Sequence, residues 1–129
     1  MSLRDKQKAS DRLERRNSQG ISRAVLRHLR MAPRKIRLVV DLIRGKNVEE
    51  ALNVLAFNQK DAAIPVIKVI KSAIANAEDL KKSNVDKLYI KTVFVDEGQT
   101  WRRWLTRAMG RATRIRKRTS HITVVLGER

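Results

Sequence analysis

Cysteine is absent from the 129 residues, which excludes disulfide staples, thiolate metal sites and cysteine nucleophiles. No apolar run approaches the ~20 residues of a membrane span, and the first residues are too polar for a signal segment. The expected location is therefore the cytoplasm, with no membrane partner. Glycine-rich phosphate loops, a Ser-His-Asp set and the H-E-x-x-H motif are all missing, so no catalytic residue is expected. The two histidines, His28 and His121, lie far apart in sequence without a ligand-like cluster, so neither a metal nor another cofactor is expected. Negative charge is the scarcest commodity: 13 Asp+Glu face 30 Lys+Arg, a net of +17.

That excess is confined to the two ends. Residues 1–44 hold 13 Lys/Arg and 4 Asp/Glu, residues 45–97 hold 8 of each, and residues 98–129 hold 9 Lys/Arg against Glu128 alone. A surface charged only for solubility would intersperse the signs. Two basic blocks flanking a neutral middle point instead to a polyanionic partner. With 42% hydrophobic residues the chain can also build a core, and its length suits one domain.

Residues 1–20 read as a flexible basic arm, leaving 21–129 as a single domain. Ile21 to Met31 fits neither helical nor strand periodicity cleanly; a strand is the favoured reading. Pro33 marks a helix start, and Ile36, Val39, Val40 and Ile43 form one helical face over Arg34–Arg44, with Gly45 as a left-handed cap. Asn47 and Glu50 are spaced as a capping box for a second helix ending near Phe57. A third helix is expected from about Asp61 to Glu78, burying Ala63, Val66, Ile67, Ile70, Ala73, Ile74 and Ala77, with alanines at 73, 75 and 77 allowing close packing. The period then changes to two. Leu88, Ile90, Thr92 and Phe94 would share one face of a strand, opposite Tyr89, Lys91, Val93 and Val95. Ile122, Val124 and Leu126 alternate in a closing strand.

If Leu88 pairs near Leu126, a hairpin folds about Arg107 with arms of about 19 residues, or roughly 60 Å at ~3.3 Å per residue. A globule of this length has a radius of gyration of only ~14 Å, so the distal hairpin, about 96–118, must project. Arg102, Arg103, Arg107, Arg111, Arg114, Arg116, Lys117 and Arg118 line it, and arginine offers a planar fork to phosphate. Thr113, Thr119 and Ser120 add hydroxyl donors, and Gly110 permits close backbone approach. Trp101 and Trp104 are expected to stack on unpaired bases or wedge into RNA crevices.

Several segments together resemble the bacterial large-subunit ribosomal protein twenty-two family: Pro33-Arg34-Lys35-Ile36-Arg37-Leu38-Val39-Val40-Asp41-Leu42-Ile43-Arg44-Gly45-Lys46, Ser72-Ala73-Ile74-Ala75-Asn76-Ala77, Val95-Asp96-Glu97-Gly98, Ala108-Met109-Gly110-Arg111-Ala112 and Ile115-Arg116-Lys117-Arg118-Thr119-Ser120-His121-Ile122-Thr123-Val124. The resemblance spans about residues 22–126. It implies an α+β fold, three helices packed on a three-stranded antiparallel sheet with a long projecting β-hairpin. It further implies a non-enzymatic constituent of the large ribosomal subunit that joins several rRNA domains during assembly. Arg34, Lys35, Arg37, Arg44 and Lys46 on the first helix, the hairpin cations, Thr119, Ser120 and His121 would bind rRNA. Trp101, Trp104, Arg107, Met109 and Gly110 would form a tip lining the nascent-peptide exit tunnel. Partners would be large-subunit rRNA, neighbouring ribosomal proteins and the passing nascent polypeptide, with no homo-oligomer. The chain departs from the family pattern at Gln99 and Thr106, where prolines are usual, and at Trp101 and Trp104. From another class, a DNA-bending architectural protein with a β-ribbon arm is the alternative.

Overall fold

The computed structural model describes residues 21–79 and 84–129; the expected basic arm over 1–20 lies outside them. Strand β1 (Ser22–Leu29) leads into three helices, α1 (Pro33–Val40), α2 (Val48–Ala56) and α3 (Ala63–Asp79). Four strands follow: β2 (Leu88–Glu97), β3 (Trp101–Thr106), β4 (Ala112–Lys117) and β5 (Ser120–Glu128). β1, β5 and β2 form an antiparallel sheet in that order, and β3 and β4 form a separate two-stranded ribbon. The expected α+β class is what the chain adopts.

Pro33 opens α1, where its missing N–H leaves no donor unpaired. The α-helix is shorter than its periodicity suggests and ends at Val40. Beyond it Leu42 and Ile43 donate to Val39 and Val40, tightening the chain into turns that close at Gly45, whose φ is +70°. The tightening brings the backbone alongside β2: Gly45 N–H donates to the Ile90 carbonyl at 3.2 Å, and Ile90 N–H to Lys46 at 2.9 Å. Ile43 remains fully buried, so its hydrophobic role survives the change in helix type.

The capping box does not form. Asn47 is the N-cap residue of α2 but makes no side-chain cap bond, and Glu50 instead pairs with Lys46 one turn back. In α3 the buried stripe is Ala63, Val66, Val69, Ile70, Ala73 and Ala77; Ile67 and Ile74 are only half-buried, and Ala75 is exposed. This helix packs on β1 and β5 with one flank and on α2 with another, which turns Val69 inward. Ala73 and Ala77 do allow the close approach. Ser22 Oγ donates to the Ala73 carbonyl at 2.8 Å and Asn76 Nδ2 to the Arg23 carbonyl at 3.0 Å, locking helix to strand.

β2 departs from simple alternation. Its register with β5 slips between Ile90 and Thr92, leaving Lys91 as the extra residue of a β-bulge. Leu88 and Ile90 face the core, but after the bulge Val93 and Val95 are inward and Thr92 and Phe94 outward, so the four residues expected on one face are split between two. The core is thereby completed by Ile122, Val124 and Leu126 of the central strand, all fully buried.

Candidate nucleic-acid interface

The ribbon begins where the main sheet stops. Gly98 N–H donates to the Thr119 carbonyl at 2.9 Å, and Thr119 Oγ1 donates to the Gln99 carbonyl at 2.6 Å. Ser120 Oγ donates to the Met31 carbonyl at 3.0 Å, pinning the returning arm to the β1–α1 connection. A side chain at position 98 would run into Thr119 Oγ1 and come within 3.2 Å of His121 Nε2, so this joint needs glycine. Thr119 and Ser120 are thus buried parts of the hinge. Their hydroxyls donate to backbone carbonyls within the hinge.

The two histidines, 93 residues apart in sequence, meet at the same hinge. Their rings lie edge to face with centroids 5.0 Å apart, and His28 N–H donates to His121 Nδ1 at 3.0 Å. His28 takes a φ of 56° where β1 slips its register against β5. That irregularity is the step no periodicity could reveal.

Beyond the hinge, every residue of β3 is exposed, and only Ile115 of β4 is half-buried, so the ribbon stands clear of the core. Directly paired residues of an antiparallel ladder project to the same side. The pairs Arg102↔Arg116 and Trp104↔Arg114 therefore make one face, and Trp101↔Lys117 and Arg103↔Ile115 the other. On the first face Arg102, Arg114, Arg116 and Arg118 line a cleft of about 360 Å³ with Thr100, where Glu97 is the only carboxylate. Glu97 approaches Arg118 only to 4.0 Å. Arg114 also lays its guanidinium over the Trp104 ring at 5.2 Å, and Arg103 stands 5.9 Å from the Trp101 ring centroid.

The turn comes at Ala108–Gly110, slightly beyond the expected Arg107, because Leu88 pairs with Glu128 rather than Leu126. Arg107 N–H donates to the Arg111 carbonyl at 2.7 Å. Met109 and Gly110 both hold positive φ, 59° and 67°, and no atom lies within 4 Å of a Cβ built at Gly110. Glycine suits the positive φ that this turn requires. Met109 is 94% exposed at the apex and Trp104 63% exposed on the shaft. Trp101, expected at the tip, opens β3 at the foot of the ribbon opposite Lys117.

On the body, Arg34 and Lys35 are exposed in the first turn of α1. Arg37 and Arg44 are partly committed elsewhere: Arg37 Nη2 donates to the Val95 carbonyl at 3.0 Å, and Arg44 Nη1 to Val93 at 2.6 Å. They cap the free edge of β2, blunting it against strand addition. Arg44 Nε adds a 2.9 Å bond to Asp41, and Lys46 is held by Glu50.

A family model described as ribosomal protein L22p/L17e matches residues 24–127, the helical body and the whole ribbon together. The chain belongs to that family. It is 60% identical over 109 residues to the large ribosomal subunit protein uL22 of Myxococcus xanthus, covering 83% of this chain and 96% of that one. The uL22 proteins of Syntrophotalea carbinolica and Desulfitobacterium hafniense (strain Y51) are 54% and 56% identical over 108 residues, covering 98% and 95% of their own lengths. The L22p/L17e match includes the hinge at Gly98 and Thr119–Ser120, so the joint that aims the ribbon falls inside the shared region.

Proposed function

We propose that this chain is a structural, non-catalytic protein of the large ribosomal subunit in the cytoplasm. On this reading it binds rRNA and joins rRNA segments during assembly, and its ribbon apex borders the nascent-peptide exit tunnel. The observation that carries the reading is the ribbon itself, free of carboxylates from Gly98 to Gly127 and aimed away from the core by a buried hinge. A two-stranded ribbon is marginal alone in water, so it needs a surface to lie against. Arg102, Arg114 and Arg116 suit phosphates crowded where RNA segments converge. Arg34 and Lys35 extend the positive surface onto the body. Neighbouring ribosomal proteins and the nascent chain at Met109 are further partners under this proposal.

Much of the affinity should come from counterion release and fall steeply with salt. Reversing Arg114, Arg116 and Arg118 to Glu should block incorporation into large subunits, read by gradient sedimentation of a tagged copy, while circular dichroism of the isolated chain stays unchanged. Normal incorporation of the folded variant would remove the ribbon as the anchor. Co-migration of the unmodified chain with DNA instead of subunits would bring forward the DNA-bending alternative.

A further inference from the structure

The two faces of the ribbon differ in chemistry, and one of them encloses space. Its foot overhangs the start of α1 and the α2–α3 connection, leaving a groove of about 990 Å³. One wall carries Trp101, Arg103, Ile115 and Lys117, which the pairing register places on one face, with Arg116 and Arg118 of the returning arm at its edge. The facing wall carries Arg30, Met31, Lys35 and Leu38, with Lys60 and Asp61 at the end. Asp61 is the only carboxylate among the lining residues.

We propose that this groove holds an extruded, unpaired RNA nucleotide, its base stacked on Trp101 and its flanking phosphates held by Arg30, Lys35 and Lys117. The inference rests on the rRNA-binding reading and adds to it a site for a single-stranded feature, which meets the phosphate-binding cleft at Arg116 and Arg118, residues that line both. Three observations converge on that occupant. Trp101 is 44% exposed although it stands at the foot of the ribbon, beside the body, so the core leaves much of the indole uncovered. The groove is as large as the biggest of the ~300–1,000 Å³ clefts that take small ligands, enough for a base with sugar and phosphate. Its lining pairs apolar surface from Trp101, Ile115 and Leu38 with an almost unopposed set of cations, which matches a base carried on a phosphate chain. Each indole has an arginine near its ring, Arg103 at 5.9 Å from Trp101 and Arg114 at 5.2 Å from Trp104, but of the two only Trp101 borders the groove. The two indoles therefore do different work.

Fluorescence of the full-length chain separates them, because Trp104→Phe leaves Trp101 as the sole indole of the two. Single-stranded RNA octamers should quench Trp101 in this variant, and a blunt RNA duplex of equal length should not. Trp101→Ala should weaken single-strand binding about 5- to 150-fold, the range for losing one stacked base. Trp101→Phe should recover part of that loss, and duplex affinity should hold in both. If single-stranded RNA binds but neither quenches Trp101 nor responds to Trp101→Ala, the groove proposal is overturned and the rRNA-binding reading stands. If the unmodified chain binds neither RNA form, the underlying reading fails as well. Quenching by an apolar peptide but not by RNA would overturn the nucleotide as occupant in favour of a polypeptide.

Discussion

Thr119 Oγ1 donates a 2.6 Å hydrogen bond to the carbonyl of Gln99, across the joint between body and ribbon. The acceptor is main chain, so it persists whatever side chain occupies position 99. This explains how glutamine can stand where the family usually has proline: the bond that sets the ribbon's direction does not use the side chain.

Removing the donor should therefore matter more than changing the acceptor residue. Thr119→Val should cost about 1–2 kcal/mol, the lost bond plus an unpaired carbonyl, and speed hydrogen exchange at Gly98 N–H. Gln99→Pro should leave stability unchanged or raise it by up to ~1 kcal/mol through the unfolded state. Thermal melts of both variants check the order; a larger loss in Gln99→Pro would show that the joint depends on residue 99 itself.

The bulge at Lys91 makes a sharp contrast between neighbours. Val93→Asp places a carboxylate in the core and should cost at least ~3 kcal/mol, while Thr92→Asp on the exposed side should stay within about 1 kcal/mol. Simple alternation through β2 predicts the reverse order. Denaturant melts of the two variants decide between the faces.

Arg37 and Arg44 cap the free edge of β2 through Val95 and Val93. Arg37→Ala with Arg44→Ala should destabilise the isolated chain by about 1–2 kcal/mol and increase its self-association, since the edge carbonyls become available to another strand. Light scattering with a thermal melt tests both effects. A variant as stable and as monomeric as the parent would show that the caps contribute nothing beyond surface charge.

At the apex, Gly110→Val should cost about 1 kcal/mol or more because a β-branched residue resists a φ of 67°. Exchange at Arg107 N–H, which closes the turn onto Arg111, should accelerate. Melting of the body should barely move, since the apex contributes no buried residue.

On the phosphate face, replacing Arg114 or Arg116 by Ala should each lower the slope of log affinity against log salt by about 0.7–0.9 for RNA. Trp101→Ala should leave that slope unchanged while weakening single-strand binding. A salt-titrated binding assay measures both in one series.

Strand β1, whose apolar residues keep neither period, was only the favoured of two readings; the placement of the charge, helices α1–α3, strands β2 and β5 and the projection of the hairpin were legible in the sequence. Each depends on local periodicity or on simple length arithmetic, and Pro33 and Gly45 mark boundaries through their own backbone preferences. What each side chain does was decided only in three dimensions. Lys91 reverses the faces of β2 because one unpaired residue shifts a period of two. Ser120 and Thr119 look like polar surface residues until the hinge buries them, and Arg37 and Arg44 look free until the edge of β2 lies beside them. His28 meets His121 because β5 runs back beside β1, and Trp101 borders a groove because the foot of the ribbon lies beside the start of α1 and the α2–α3 connection. Periodicity reports which way a residue faces relative to its neighbours in the chain; contacts made across the fold depend on register, bulges and hinge angles that only the assembled tertiary structure sets.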